Sequence, residues 1–287
     1  MWRRIYGLEK TPLNNKSIFL SLYFEIQSTF NMKQLAKLNP EHLRVVSSPV
    51  KRKSSIEWIY YFKNNLLKQR VDWTRPPSIS PREKSEIISS VQAWQLGETS
   101  DGSHLLKAAG KYAQKINDPD YLEAVKLFIK EEQKHGSNLG KYLDAIGVKR
   151  LKKNWGDSLF RSVRYFNTSM ELWTIAVIIV ESLAQLFYKS VKDATECNLL
   201  KEICSDILQD EVQHIVFQSE RLRIIYQGKS KVGKQFASLF YFLLFYTIIL
   251  TVWIGHSRAF KAGGNTFPIY LKRITAKFNR MINLIYR

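Results

Sequence analysis

Apolar positions recur every three or four residues over four long stretches of this chain, and each stretch predicts a helix. Val91, Trp94, Glu98, Leu105, Ala109 and Tyr112 form one stripe, which predicts a helix over 81–116. Val125, Phe128, Glu132, His135, Leu139 and Ile146 form the next, over 120–146. The third, over 169–192, is the most apolar, because Leu172 to Val180 carries no charge and is followed by Glu181. The fourth, over 195–227, aligns Leu200, Cys204, Ile207, Glu211, His214, Gln218 and Ile225. Turn chemistry separates them. Ser80, Pro81 and Glu83 form a helix start, Asn117-Asp118-Pro119-Asp120 forms a turn with a cap, and Gly147 ends the second helix. The expectation is an all-α fold with an antiparallel four-helix bundle over 81–227. Gly97, Gly102 and the Thr99-Ser100-Asp101 cluster weaken the first helix, so a distortion is expected beside Glu98.

The flanks differ in character. Residues 1–80 read as a basic, partly helical N-terminal extension, with Ile56 to Leu67 as an aromatic-rich helix. Near the start, Arg3, Arg4, Lys10 and Lys16 precede a short apolar run from Ser17 to Phe24. Glu25 follows and no small-residue cleavage site appears, so a cleaved signal peptide is not expected. Met32 followed by Lys33 offers an alternative start, which would make the first 31 residues an upstream extension. Residues 228–287 form a third region. Phe236 to Gly255 has no charge, and a helix of that length spans about 30 Å, the thickness of a bilayer core. Pro268 opens a last helix with Leu271, Ile274, Phe278, Met281 and Ile285 on one side and Lys272, Arg273, Lys277 and Arg280 on the other. Such a basic amphipathic helix suits an anionic membrane surface.

Charge sharpens this picture. The net charge is +19, and no Asp or Glu occurs from Gly228 to Arg287. A polyanion or an anionic membrane becomes a plausible partner. The cations lie beside apolar segments and not among stacking aromatics, so nucleic acid is the less expected of the two. Cys197 and Cys204, without a Cys-x-x-Cys, fit two small core residues in a reducing compartment.

The chemistry sits on the stripes. A carboxylate on an apolar helical face is costly unless it is paired, protonated or bound to metal. Four such acids and two imidazoles occur here, and they repeat. Glu132-Gln133-Lys134-His135 and Glu211-Val212-Gln213-His214 each carry Glu-x-x-His, whose spacing sets both side chains on one helix face. Glu98 precedes Glu132 by 34 positions, and Glu181 precedes Glu211 by 30. Each interval fits one antiparallel helix pair. Carboxylate and imidazole donors suit iron or manganese. Glu131 and Asp210, one residue before each motif, point about 100° away, either as partners of the imidazoles or into solvent.

The doubled pattern resembles the ferritin-like di-iron carboxylate proteins, over about residues 86–227. The resemblance implies two iron (or manganese) ions per chain. Glu98, Glu132 and His135 would serve one, and Glu181, Glu211 and His214 the other, with Glu132 and Glu211 bridging. It also implies O2 as a reactant. Members include oxygen-activating oxidases and hydroxylases, ferroxidases and iron stores, aldehyde-processing enzymes and a tRNA hydroxylase. An oxidase or oxygenase at a membrane, with its bundle in the cytoplasm, is the leading expectation. The alternatives are a ferroxidase without organic substrate and a nucleic-acid-associated hydroxylase. A soluble cytoplasmic protein, with the C-terminal helices buried against the bundle or in a homodimer, is the other expectation for location.

Overall fold

The computed structural model describes residues 52–153 and 169–286, and the expectations for residues 1–51 lie outside them. Among the described residues the fold is all-α, with eight helices and no strand. They are α1 Ser55–Leu66, α2 Pro81–Glu98, α3 Ser103–Lys115, α4 Pro119–Ala145, α5 Met170–Ala194, α6 Asn198–Gln227, α7 Lys231–Ala262 and α8 Phe267–Tyr286.

The helix starts follow from local chemistry. Ser80 accepts from the Glu83 amide while Glu83 accepts from the Ser80 amide, a reciprocal cap with Pro81 in the first turn. Ser54 and Glu57 repeat the device at α1. Asp118 caps α4 ahead of Pro119.

The helix expected over 81–116 is two helices. It breaks directly after Glu98, and Gly102 restarts it in the left-handed region at φ 65°. That backbone favours glycine, and a Cβ there would also press on the Ile129 side chain, 2.5 Å from its Cδ1.

α1 lies along α4, α2 and α3 also pack on α4, and α5 pairs with α6. α7 covers α5 and α2, and α8 covers α6 and α5. The apolar interior forms two clusters. One joins Ile87 and Val91 of α2 to Leu139 and Leu143 of α4 and to α5 through α8. The other joins Trp58 and Phe62 of α1 to Val125 and Phe128 of α4 and Phe217 of α6. On α4 the segment Glu131–His135 falls between these clusters, so the polar site interrupts the core. Cys197 and Cys204 are buried free thiols.

Candidate metal centre

Four of the helices converge their acids and imidazoles. Glu98 ends α2, Glu132 and His135 lie on α4, Glu181 on α5, and Glu211 and His214 on α6. Their ligand atoms form two groups, each with all members within 4.8 Å of one another. Glu132, Glu181, Glu211 and His214 make one; Glu98, Glu132 and His135 make the other. Glu132 belongs to both. Glu211 also sits between the imidazoles, with Oε1 3.8 Å from His135 Nδ1 and Oε2 3.7 Å from His214 Nδ1. Gly136 lets α4 come this close to the end of α2, because a Cβ there would meet Thr99 Cγ2 at 2.6 Å.

The far side of each imidazole is held by the other motif's acid. His214 Nε2 lies 2.9 Å from Glu131 Oε2, and His135 Nε2 lies 3.1 Å from Asp210 Oδ2. An ionised carboxylate only accepts, so Nε2 carries the proton in both rings. Each Nδ1 therefore faces the centre, where it can present a lone pair. Asn65, at the end of α1, donates its amide to both acids, at 2.8 Å to Glu131 Oε1 and 2.7 Å to Asp210 Oδ1. Arg70 donates to Asp206 and, at 3.0 Å, to Asp210, and also to Asn65. Lys134 Nζ adds a weaker contact, 3.6 Å from Asp206. On the Glu98 side, Tyr188 Oη donates to Oε1 at 2.6 Å.

This charge is expensive without a cation. Burial, then the Glu132 charge, pushes Glu98 well above the usual carboxylate range. Burial, then Glu211, does the same to Glu181. Glu132 and Glu211 are raised by burial too. Burial opposes protonation of His214, but the Glu132 charge and the Glu131 hydrogen bond outweigh it, and the imidazole is raised well above its ordinary value. Asp210 behaves oppositely: burial would raise it, yet the bonds from His135 and Asn65 and the Arg70 charge hold it below the ordinary range.

The donor atoms fit a metal pair. His135 Nδ1, His214 Nδ1, Glu132 Oε1 and both Glu211 oxygens are buried without a hydrogen bond. His214 Nδ1 and Glu132 Oε1 are 2.7 Å apart yet not aligned for one. Buried polar atoms are ordinarily satisfied, and several orphans facing one point are what a bound cation could account for. Phe128 stands edge-on to His214 at 4.8 Å, and Phe62 lies beyond at 6.2 Å, which walls this side from water.

All six residues singled out in the sequence come together here. Asn65, Arg70, Asp206 and Tyr188 were not singled out. Tyr188 and Asp206 had a helical signal: Tyr188 lies seven residues after Glu181, and Asp206 four before Asp210, each pair on a shared face. Asn65 and Arg70 had none. His104 and His256 belong to neither ligand group; His256 Nδ1 pairs with Ser90 Oγ at 3.0 Å, and burial pushes it down to about 4. Comparison with protein-family models, curated proteins and solved structures gave no significant match.

Proposed function

We propose that this chain is a di-metal carboxylate protein of the ferritin-like kind, an oxygen-activating oxidoreductase that holds two iron ions, with manganese as the other fit to the donors. One observation carries the reading: two ligand groups share Glu132, while both imidazoles are held from behind by acids of the opposite motif. Glu98, Glu132 and His135 would hold one ion, and Glu181, Glu211 and His214 the other, with Glu132 and Glu211 between them. When bound, a reduced iron pair supplies two electrons together to O2.

The protein's own part is positioning and proton control. Asp210 and Glu131 keep the protons on Nε2, so the Nδ1 lone pairs are free for metal. The raised carboxyls and His214 release protons as cations enter. Tyr188 orients Glu98, and Phe62 and Phe128 exclude water. A membrane location belongs to the same proposal. Two helices, α5 and α7, are long and apolar enough to cross a bilayer. α5 is mostly buried and carries Glu181, so only α7 bears on the question.

The test is metal analysis of protein purified without chelator. About two iron or manganese ions per chain are expected. Glu132→Ala and Glu211→Ala should abolish the pair with helix content intact, and equal metal in these variants would sink the assignment. The ferrous protein should consume O2 on mixing. Uptake that only tracks iron oxidised, with no organic product from cell extract, would move the reading to a ferroxidase.

A further inference from the structure

α7 is apolar on two opposite faces, and they meet different surroundings. Tyr241, Phe245, Ile248, Ile249 and Val252 turn inward onto the protein. Val232, Phe236, Leu239, Phe240, Leu243 and Ile254 turn outward, and Phe236 is 70% and Ile254 67% exposed. At about 100° per residue the outward six fall in one arc, together with Thr247 and Thr251. The two threonines turn their hydroxyls back on the helix, bonding the Leu243 and Thr247 carbonyls at 2.9 and 2.8 Å. The stripe is therefore apolar along some twenty residues, about 30 Å. A contiguous patch of this kind is uncommon on a soluble surface.

Charge identifies the occupant. Lys231 stands exposed at one end of the stripe, Arg258 and Lys261 at the other. α8 lies beside α7 and exposes Lys272, Arg273 and Arg280. No acid occurs from Gly228 to Arg287. Glu171 of α5 comes up beside Phe236 and Phe240, and it is already paired with Lys229 at 2.7 Å and accepts from Tyr241 at 2.6 Å. An apolar stripe with exposed cations at both ends, the Glu171 charge beside it being paired, is complementary to an anionic lipid surface.

The same residues decide the orientation. Phe278 of α8 stacks on Phe245 of α7 with centroids 4.0 Å apart. Phe245 is midway along the uncharged stretch, and Arg280 lies about 3 Å further along α8. If α7 crossed a bilayer, the exposed Arg280 would sit near the hydrocarbon centre, with Lys272 and Arg273 also inside it. Charges on a lipid-facing surface at that depth are strongly disfavoured. With α7 flat, crossing no longer forces these cations through the hydrocarbon.

We propose that α7 docks in the plane of an anionic bilayer, its outward stripe at the headgroup–acyl boundary and the α8 cations on the phosphates. This rests on the membrane location proposed above and adds its geometry. Full-length protein is mixed with phosphatidylcholine vesicles with and without phosphatidylglycerol, then floated. Binding should need the anionic lipid and be stripped by alkaline carbonate. Leu243→Glu and Ile254→Glu, both at exposed positions, should weaken it about tenfold or more with helix and metal content unchanged. Single fluorophores at Phe236→Cys, Leu243→Cys and Ile254→Cys should report one shallow depth by lipid-quencher parallax; the native thiols are buried. A central depth at 243 between two interfacial ends means crossing, which overturns the in-plane geometry and leaves the membrane location. No vesicle binding, with a dimer that Leu243→Glu dissociates, means a second copy covers the stripe and overturns both.

Discussion

His214 on α6 gives its Nε2 proton to Glu131 on α4 across 2.9 Å, and this bond ties the α6 imidazole to the α4 motif. The matching bond runs the other way, from His135 to Asp210 at 3.1 Å. The two motifs therefore orient each other's rings. Glu131→Gln should weaken the ion served by His214, and Asp210→Asn the ion served by His135. Outer partners of this kind are worth about 10–100-fold in metal affinity. Competition with a graded chelator series reads both, and an unchanged affinity in either variant would remove the orienting role.

Asn65 spans both bonds, so its loss should act on both ions together. Asn65→Ala leaves two buried carboxylates each short of a donor, a cost of about 1–3 kcal/mol apiece. Denaturant unfolding should show a lower midpoint, and both metal affinities should fall in parallel. A fall at one site alone would contradict the shared role.

Tyr188→Phe removes the donor to Glu98 and little else. Bonds to ionised groups contribute about 1.5–3 kcal/mol, and the pull should be felt at the Glu98 ion alone. Two-site metal titration should show one weakened step, with the step assigned to Glu181, Glu211 and His214 unchanged.

Stability should respond to pH in opposite senses with and without metal. In the metal-free fold Glu98, Glu132, Glu181 and Glu211 titrate above their unfolded value of 4.5, with Glu211 near 7. Between those values the folded chain holds more protons than the unfolded one, so stability falls as pH rises. His214, also raised, acts in the same direction. Asp210 is depressed, and its contribution is lost only in acid, below this window. The metal-free Tm should thus be higher near about pH 6 than near about pH 8. Metal requires deprotonated ligands, so the loaded protein should show the reverse trend. A scan of both forms across that range checks the sign.

The sequence by itself determined the helices, their caps and the candidate ligand residues. Helical periodicity is a local property, so Glu98, Glu132, His135, Glu181, Glu211 and His214 could be read off four apolar stripes without knowing how those stripes meet. The glycines and polar cluster after Glu98 foretold a distortion, though not its size: the stretch is two helices, with the acid at the end of the first. Tertiary structure alone decided the rest, because it depends on which faces antiparallel packing brings together. Whether Glu131 and Asp210 met imidazole or water, and that each took the other motif's ring, follows from the apposition of α4 and α6. Asn65 and Arg70 reach the centre over 145 and 140 positions to Asp210, a separation no local pattern encodes. α7 makes the same point. Its twenty uncharged residues read as one apolar cylinder, and only packing on α5 and α2 divided that cylinder into a face that belongs to the core and a face left to the outside.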